Sequence, residues 1–445
     1  MTMYDLIVLG SGTAGVAAAG KCAEAGWRVA LADPLPLGGT CALRGCDPKK
    51  ILRRGAEVVD AARLLDGRGI AGDTAIDWGA LQRHKRGFTD PMPGRIEEYL
   101  ESVGVDVFHA AARFTGRDEV EIDGERLRAQ YVLVATGARP RPLDIPGADL
   151  VSDSTAFLSL DELPKRILFI GGGFISFEFA HIAQRAGSAC VIAHRHDRPL
   201  AGFDPGLIDR LVAHTADLGV DLRATADVTA ISSVPGSLVA TLSTGEQVEA
   251  DLVVHGAGRI AHLDSLDLDA AGVAWSERGV EVADHLQSTT NPHVFAAGDA
   301  ADTAGRPLTP IASTEGALAA SNMLEEARAT PDYRGTPTTV FTIPELTRVG
   351  MLEDEAREAG YDVRVSEHDT GSWFSNYRVA ESTAGVRIVI DTATDRVLGA
   401  HLLGPEYAEL VNLFAMAIRL GLTTEQLSSV TMSYPSVGSD LSSML

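Results

Sequence analysis

Residues 4–33 read YDLIVLGSGTAGVAAAGKCAEAGWRVALAD, and this stretch predicts the fold. Residues 6–9 form a short apolar run typical of a buried parallel strand, and the glycines after it give way to a helical pattern. Residues 166–195, RILFIGGGFISFEFAHIAQRAGSACVIAHR, repeat the order of strand, glycine-rich turn, helix and strand. Two such βαβ repeats predict an α/β protein with two Rossmann-type nucleotide-binding domains.

The first glycine-rich turn has the pattern GxGxxG at Gly10, Gly12 and Gly15. Glycine lets the backbone approach a pyrophosphate, and the N-terminus of the following helix stabilises the negative charge. Asp33 ends the next strand, where an acid can bind ribose hydroxyls. The pattern alone often marks only a turn, but its place between a strand and a helix favours a dinucleotide site.

The second turn has three consecutive glycines and then a small residue where another glycine could stand: Gly171, Gly172, Gly173 and Ser176. No acid ends the strand that closes this repeat, and Arg195 and Arg198 follow it. Because guanidinium groups suit a 2′-phosphate, we expect NADPH to be favoured over NADH. The alternative is a solvated turn, and Asp197 in the same stretch weakens the case for NADPH.

Two cysteines, Cys41 and Cys46, stand close together in GGTCALRGCDPKK. We expect this segment to enter a helix over residues 51–65, and the pair to bridge across a distorted first turn. A thiolate at that place is stabilised by the helix N-terminus and by nearby Lys49, and both lower the pKa of a thiol. The pattern therefore indicates a redox-active pair.

The other two cysteines, Cys22 and Cys190, fall in a predicted helix and a predicted strand, where buried and inert thiols are expected. The alternative for the close pair is a metal site. No second close cysteine pair exists, and His109 and His401 lack the spacing of metal ligands. We therefore expect no bound metal.

Composition restricts the partners of this protein. The 445 residues carry a formal net charge of -23, which repels nucleic acids and anionic membranes and leaves small molecules as the expected partners. The N-terminal sequence has no basic segment, and Lys21 and Glu24 interrupt the first apolar stretch. We therefore expect a cytoplasmic protein.

A third region follows the second repeat, and Pro331 and Pro337 mark its boundary. Residues 387–404 predict two strands around a turn, and residues 409–422 have the apolar spacing of a helix. This region carries no nucleotide motif, so it predicts an α+β domain of another kind.

Eight short motifs occur in the order found in one protein family: GSGTAG, GGTCALRGCDPKK, VLVATGARPR, GGGFISFEFA, GAGR, VFAAGD, LTPIA and GAHLLG. Through these motifs nearly the whole chain resembles the FAD-dependent pyridine nucleotide-disulfide oxidoreductases, which include glutathione reductase, dihydrolipoamide dehydrogenase and mercuric reductase. The resemblance implies an enzyme that passes electrons from NAD(P)H through flavin to Cys41 and Cys46, and then to an acceptor.

The resemblance also implies three domains. Residues 1–148 and 264–332 are expected to form a discontinuous FAD-binding domain, and residues 149–263 the NAD(P)H-binding domain. Residues 333–445 are expected to form an α+β domain that makes the interface of a homodimer, in which each subunit completes the active site of the other.

Cofactor contacts are implied residue by residue. The expected FAD contacts are Gly10, Gly12, Gly15, Asp33, Gly39, Thr40, Thr136, Gly137, Gly298, Asp299, Thr309, Ile311 and Ala312. The expected NAD(P)H contacts are Gly171, Gly173, Phe174, Ile175, Arg195, Arg198, Gly258 and Arg259. Within these sets, Asp299 resembles the residue that holds the ribityl chain, and Phe174 the aromatic residue that covers the nicotinamide pocket.

Catalytic roles are implied in the same way. Cys46 resembles the thiolate that faces the flavin, and Cys41 the interchange thiol that attacks substrate. Lys49 resembles the lysine near flavin N5, with Glu178 as its ion-pair partner. A positive charge there stabilises an anionic reduced flavin.

The C-terminus departs from the family. Disulfide-reducing members carry HPTxxE, whose His and Glu serve the interchange thiol, whereas this chain has Tyr434 at the His position and Ser439 at the Glu position. Asp440 follows one position late. Asp47 replaces the apolar residue usual after the second cysteine, and its carboxylate should raise the pKa of the neighbouring thiol.

Three functions therefore remain open. The first is reduction of a disulfide or related thiol substrate, with glutathione disulfide expected to be poor. The second is reduction of a metal ion, a quinone or another non-disulfide acceptor. The third is a non-enzymatic redox sensor or complex subunit, which the complete cofactor motifs disfavour.

Overall fold

Strands and helices alternate along most of the chain, as the two βαβ repeats predict. The structure is a computed structural model that describes residues 3–445. The strands are β1 Met3–Leu9, β2 Val29–Ala32, β3 Val105–Phe108, β4 Ala112–Phe114, β5 Glu119–Ile122, β6 Glu125–Val134, β7 Ala138–Pro140, β8 Arg166–Ile170, β9 Ala189–Ala193, β10 Asp221–Arg223, β11 Val228–Val234, β12 Ser237–Leu242, β13 Gln247–Ala250, β14 Leu252–His255, β15 Arg259–Ala261, β16 Trp275–Ser276, β17 Gly279–Glu281, β18 Val294–Ala296, β19 Ala301–Asp302, β20 Thr338–Val340, β21 Glu345–Gly350, β22 Val363–Asp369, β23 Gly385–Asp391 and β24 Val397–Gly404.

The helices lie between these strands and after them. They are α1 Thr13–Glu24, α2 Gly39–Arg44, α3 Cys46–Leu64, α4 Trp78–Thr89, α5 Met92–Ser102, α6 Ser154–Leu158, α7 Phe174–Arg185, α8 Pro205–Asp217, α9 Thr309–Glu325, α10 Glu353–Glu358, α11 Phe374–Tyr377, α12 Tyr407–Leu420, α13 Thr424–Ser428 and α14 Leu441–Met444. Within residues 3–445, no helix has both the length and the apolar character that crossing a membrane requires.

The described residues form two compact units, and each contains one of the predicted βαβ repeats. The first unit comprises residues 3–51, 82–142 and 258–333. The second unit comprises residues 52–81, 143–257 and 334–445. The predicted α/β class with two Rossmann-type repeats and an α+β C-terminal region is confirmed.

The main sheet of the first unit has the strand order β3-β2-β1-β6-β5-β4, and β18 also pairs with β6. Strand β1 runs parallel to both β2 and β6. Its residues 6–9 are buried, as expected for a central parallel strand covered on both faces. The loops after β1, β2 and β6 therefore meet at one edge of the sheet.

Small residues let α1 and α9 approach closely in this unit. A side chain on Gly316 of α9 would lie 2.2 Å from the carbonyl oxygen of Ala14 in α1. A side chain on Gly15 would lie 2.0 Å from the carbonyl oxygen of Gly10. Both distances are too short for any carbon atom, so glycine at these positions fixes α9 and the glycine-rich turn against α1.

The second unit contains a parallel sheet of order β10-β9-β8-β14 and a separate antiparallel sheet of order β11-β12-β13. It also contains the antiparallel sheet β20-β21-β24-β23-β22. The strands predicted within residues 387–404 are confirmed as β23 and β24. The helix predicted at residues 409–422 is confirmed as α12, which buries Leu410 and Phe414 in the core of this region.

Candidate active site

The acid at the end of β2 holds the first glycine-rich turn together. Asp33 Oδ2 accepts hydrogen bonds from the backbone N–H and the hydroxyl of Ser11, at 2.8 and 2.7 Å. The Ser11 hydroxyl also accepts from the N–H of Gly38 at 3.1 Å. Sequence reasoning missed Ser11, although a serine inside a glycine-rich turn is a signal, because short hydroxyl side chains bond to nearby backbone groups.

Helix α1 begins beyond this turn without a side-chain cap. Gly12 is its N-cap residue, and its first turn contains no acid. Nothing lies within 4 Å of the position where a side chain on Gly12 would begin. Helices α6, α8 and α13, in contrast, are capped by Asp153, Asp204 and Thr423. The uncapped N–H groups of α1 and the open space beside Gly12 fit a pyrophosphate.

The cysteine segment packs directly onto the turn. Gly39 has φ of +62°, and a side chain on it would lie 2.6 Å from Cα of Gly12. Thr40 and Cys41 follow in α2, and Gly45 separates α2 from α3. The expectation of one helix starting near residue 51 is wrong, because α3 begins at Cys46 itself and Cys41 lies in a separate short helix.

The two thiols have opposite acidities. Both cysteines are free thiols; Cys41 is partly buried and Cys46 is exposed. Their mutual hydrogen bond, followed by burial, raises the pKa of Cys41. The same hydrogen bond is the main cause that lowers the pKa of Cys46 to about 6. At neutral pH this arrangement is a Cys46 thiolate that accepts a hydrogen bond from the Cys41 thiol.

Neighbouring residues adjust the charge on Cys46. The Thr309 hydroxyl lies 3.5 Å from Cys46 Sγ, and this contact and the positive charge of Lys49 lower the pKa of Cys46. Partial desolvation of the sulfur by the surrounding protein and the carboxylate of Asp47 raise the pKa of Cys46, as predicted for Asp47, but the lowering causes are larger. Burial raises the pKa of Asp47 in turn.

Asp299 lies in the 3₁₀ turn Gly298–Ala300, close to the start of α9. Burial raises the pKa of its carboxyl, although Arg259 opposes the shift. Among the described residues its side chain has no hydrogen-bond partner, and the buried hydroxyl of Thr136 has none either. Buried polar groups are almost always hydrogen-bonded, so the buried Thr136 hydroxyl fits contact with a polyhydroxylated cofactor, and the partly exposed Asp299 carboxylate can accept hydrogen bonds from the same cofactor.

The remaining predicted FAD contacts lie around the edge of the main sheet where the loops after β1, β2 and β6 meet. A side chain on Gly10 would lie 2.5 Å from the carbonyl oxygen of Ala135, which precedes Thr136 and Gly137. Gly298 lies against Ala312 of α9, where an added Cβ would be 3.1 Å from the Ala312 Cβ. Ile311 is on the first turn of the same helix. The first unit therefore brings together the residues predicted to hold FAD.

Two residues predicted to contact NAD(P)H also lie in the first unit. The carbonyl of Gly258 accepts a hydrogen bond from the N–H of Arg141 at 3.1 Å. Arg259 begins β15, which pairs with β7, and its guanidinium donates to the carbonyl of Ala138. Their contact with the nicotinamide nucleotide stays a prediction.

The second glycine-rich turn repeats the first with different side chains. A side chain on Gly171 would lie 2.7 Å from the carbonyl oxygen of Gly256, and one on Gly256 would lie 2.1 Å from the Ser176 hydroxyl. Ser176 therefore packs against a glycine on the neighbouring segment, which confirms that a small residue suffices at this position. Helix α7 starts after Gly173, again without a side-chain cap or an acid in its first turn.

The first two turns of α7 carry three predicted site residues. Phe174 is 49% exposed at the start of the helix, and Ile175 packs against the core of the second unit. Glu178 is buried, and its Oε1 accepts a hydrogen bond from the backbone N–H of Phe341 at 2.7 Å. Its pairing with Lys49 stays a prediction.

His194 fixes the loop that follows β9, a role that sequence reasoning missed. Its Nδ1 accepts from the N–H of Gly172 at 3.1 Å, and its Nε2 donates to the carbonyl of Arg198 at 3.1 Å. Burial lowers the pKa of His194, which favours this neutral form. The sequence signal for this role was the position of His194 directly after β9, where other nucleotide-binding domains have an acid.

The two arginines of this loop differ in their contacts. Arg195 Nε donates to His196 at 3.1 Å. Arg198 forms an ion pair with Asp209, with 3.3 Å between Nε and Oδ1. Arg198 thus shares its charge with an acid, whereas within residues 3–445 Arg195 has no ion pair with an acid.

The C-terminal residues form a small cavity of about 220 Å³ in the second unit, lined by Leu427, Val430, Met432, Tyr434, Ser439, Leu441 and Ser442. Tyr434 is 79% exposed. Asp440 accepts a hydrogen bond from the Ser375 hydroxyl, so its carboxylate is engaged inside this region. Ser439 bonds to Ser436 and supplies no acid.

Comparison with known proteins agrees with this geometry. The Pyridine nucleotide-disulphide oxidoreductase family matches residues 4–318, and the dimerisation domain of the same family matches residues 336–444. The chain therefore belongs to the pyridine nucleotide-disulfide oxidoreductases. It is an NAD(P)H-dependent flavoprotein oxidoreductase, and the flavin of the family is FAD.

Individual relatives show how broad this family is. The chain is 32% identical to a glutathione reductase of Burkholderia cepacia, covering 98% of this chain and 97% of that protein. It is 30% identical to a mercuric reductase of Staphylococcus aureus, covering 96% and 79%. Among solved structures, the Cu(II) complex of the HOCl-induced flavoprotein disulfide reductase RclA from Escherichia coli has a TM-score of 0.90 at 28% identity, covering 100% and 99%.

Thr309→Val tests the origin of the Cys46 acidity. Removing the hydroxyl should raise the pKa of Cys46 above about 6, by up to about one unit, since a hydrogen bond typically contributes about 0.5–1.5 kcal/mol. Cys46 would then become protonated, and unreactive, at a higher pH than in the unaltered protein. The pH dependence of Cys46 alkylation, mapped by mass spectrometry, measures this midpoint.

Thr314→Val is the matched control, because Thr314 lies on the same helix and bonds only to the carbonyl of Pro310. Its midpoint should not change. An unchanged midpoint in Thr309→Val would contradict the assigned cause.

Proposed function

We propose that this protein transfers two electrons from NAD(P)H, with NADPH preferred, through FAD to Cys41 and Cys46, and from them to a disulfide or related thiol substrate. The observation that carries the proposal is the pair of free thiols at the break between α2 and α3, where the Thr309 hydroxyl lies 3.5 Å from Cys46 Sγ. The interaction of the two thiols raises the pKa of Cys41 and lowers that of Cys46. Such a pair contains one charged sulfur and one protonated sulfur, which is the state that thiol–disulfide exchange requires.

The domain assignment is part of the proposal. Residues 1–148 and 264–332 form the FAD-binding domain, residues 149–263 the NAD(P)H-binding domain, and residues 333–445 the interface of a homodimer. The dinucleotide would be held by the N–H groups of α1, by Asp33 and by Asp299. When bound, FAD supplies hydride acceptance from the nicotinamide and two-electron transfer to the thiol pair.

The thiols carry out the reduction of substrate. Cys41 loses its proton and its sulfur attacks the substrate disulfide, which forms a mixed disulfide and releases the first thiol. The Cys46 thiolate then attacks the Cys41 sulfur, the second thiol leaves, and a Cys41–Cys46 disulfide forms. Two electrons have moved from the protein pair to the substrate, and the two released thiolates each take up one proton.

The C-terminus limits the choice of substrate. A histidine that exchanges protons at neutral pH would serve the leaving thiolate, and the phenol of Tyr434 does not exchange protons there as an imidazole does. The carboxylate of Asp440, the nearby acid, already accepts a hydrogen bond from the Ser375 hydroxyl. We therefore infer that the natural substrate releases a thiolate that does not need protonation by a histidine, and that glutathione disulfide is a poor substrate.

A metal ion is the second candidate acceptor. Its support is the similarity over the full length to RclA, whose solved Cu(II) complex shows that a protein of this fold holds a metal ion. The two candidates differ in whether Cys41 must form a bond with substrate.

A Cys41→Ser variant should distinguish these acceptors. Disulfide turnover with NADPH should fall at least about 100-fold, because serine cannot form the mixed disulfide, whereas reduction of a bound ion does not need that bond. Steady-state turnover of the holoenzyme with aliphatic disulfides, quinones, Cu(II) and Hg(II) measures this. Cys22→Ala is the control, since burial raises the pKa of Cys22 to about 12. Full disulfide turnover in Cys41→Ser would rule out the leading function.

Stopped-flow kinetics should locate the effect of Tyr434 in the second half of the cycle. We expect fast reduction by NADPH and reoxidation by glutathione disulfide about 10²–10⁴-fold slower than in a histidine-bearing relative. Tyr434→His should accelerate this reoxidation and leave the first half unchanged, while Tyr434→Phe should not accelerate it. Rapid reduction of glutathione disulfide by the unaltered protein would show that another group supplies the proton.

Arg195→Ala should lower kcat/KM for NADPH and leave that for NADH nearly unchanged. A charged hydrogen bond to the 2′-phosphate contributes about 1.5–3 kcal/mol, so we expect a loss of about tenfold or more. Arg198→Ala should have a smaller effect, because Asp209 already pairs with Arg198. Equal kcat/KM for the two nucleotides in the unaltered enzyme would refute the preference.

A further inference from the structure

A buried carboxylate on α9 is bound to three separate segments of the first unit. Glu315 is 1% exposed. Its Oε2 accepts from the backbone N–H of Gly298 at 2.7 Å, and its Oε1 accepts from the hydroxyls of Thr303 and Tyr333 at 2.9 and 2.6 Å. None of the family motifs or predicted site residues includes it.

All three partners are hydrogen-bond donors. The Thr303 hydroxyl accepts from the N–H of Gly305 at 3.2 Å, so its own hydrogen points to Glu315. Within the part of the chain that the structure describes, Glu315 has no ion pair with a basic residue. A carboxylate only accepts hydrogen bonds, so it matches three donors. An amide in its place would turn an N–H₂ group toward at least one of these donors.

The hydrogen bond with Gly298 connects Glu315 to the turn that carries Asp299, a predicted FAD contact. Gly298 begins the 3₁₀ turn that presents Asp299. The N–H of Gly298 donates to the Glu315 carboxylate, and the turn packs against Ala312, which lies on α9 with Glu315. Gly298 has φ of +66°, so the chain bends sharply there, and the orientation of the next residue depends on how that bend is held.

The position of α9 makes this contact firm. Gly316, the residue after Glu315, touches the backbone of Ala14 in α1. The first residue of the helix, Thr309, contacts Cys46. A helix fixed at both places provides a rigid base from which Glu315 holds the Asp299 turn.

We propose that Glu315 is a positioning residue for the flavin: it holds the Gly298–Ala300 turn so that Asp299 is aimed at the cofactor. The inference rests on the proposed role of Asp299 in holding FAD. Glu315 itself contacts the turn and not the cofactor, so its influence on FAD passes through Asp299.

A double-mutant cycle on FAD affinity tests this. Apoprotein is prepared from the full-length unaltered chain and from Glu315→Gln, Asp299→Ala and the double variant, and FAD binding is followed by the quenching of flavin fluorescence. Glu315→Gln keeps the shape but turns an amide N–H₂ toward the donors. It should weaken FAD binding about 10- to 100-fold, as expected for hydrogen bonds to a charged group. In the Asp299→Ala background the same change should cost less than about threefold, because coupled residues are not additive.

Two further variants separate positioning from folding. Glu345→Gln changes a buried glutamate of the second unit that pairs with Arg53, and it should leave FAD affinity unchanged. Tyr333→Phe removes one donor without adding a mismatch, so it should weaken FAD binding only about two- to fivefold, a loss also absent in the Asp299→Ala background. This variant decides the question if Glu315→Gln fails to fold.

Each outcome has a distinct meaning. Equal losses with and without Asp299 would make Glu315 a general stabilising residue and overturn the inference, while the role of Asp299 would stand. Unchanged FAD affinity in Asp299→Ala would overturn the proposed role of Asp299, and the inference with it. Loss in Glu315→Gln that disappears in the double variant supports the positioning role.

Discussion

A contact between two backbones, at Gly12 and Gly39, is the constraint on which the rest of the first unit depends. A side chain on Gly39 would lie 2.6 Å from the Gly12 Cα, so the nucleotide turn and the cysteine segment touch without any side chain between them. Ser11 reinforces the contact, because it bonds both Asp33 and the N–H of Gly38. The first glycine-rich turn and the segment that carries the two thiols are consequently held against each other.

The chemistry of the thiol pair follows from that placement. Cys41 lies in α2 just after the contact, and Cys46 starts α3. The helix start, the hydroxyl of Thr309 and the charge of Lys49 favour a thiolate on Cys46, and Asp47 opposes them. The carboxylate of Asp47 therefore limits how acidic the Cys46 thiol becomes.

The second unit uses the same βαβ geometry with different side chains. Ser176 fills the place of a glycine because Gly256 on the neighbouring segment leaves room for it. An uncharged His194 links the two sides of this unit's turn, because its imidazole hydrogen-bonds both the N–H of Gly172 and the carbonyl of Arg198.

The two βαβ repeats, the α+β C-terminal region and the family could be predicted from the sequence, because buried strands, glycine turns and amphipathic helices are local patterns. It also predicted Cys41 and Cys46 as a candidate redox pair, since the two thiols stand close together just before a predicted helix. Only the folded chain shows that α3 begins at Cys46 and that Arg198 pairs with Asp209. It also shows that the side chains of Ser11, His194 and Glu315 accept hydrogen bonds from the N–H groups of Gly38, Gly172 and Gly298. These roles depend on hydrogen bonds between segments far apart in the chain, such as Glu315 with Gly298 and Tyr333, and no local pattern specifies which distant group a buried side chain will meet.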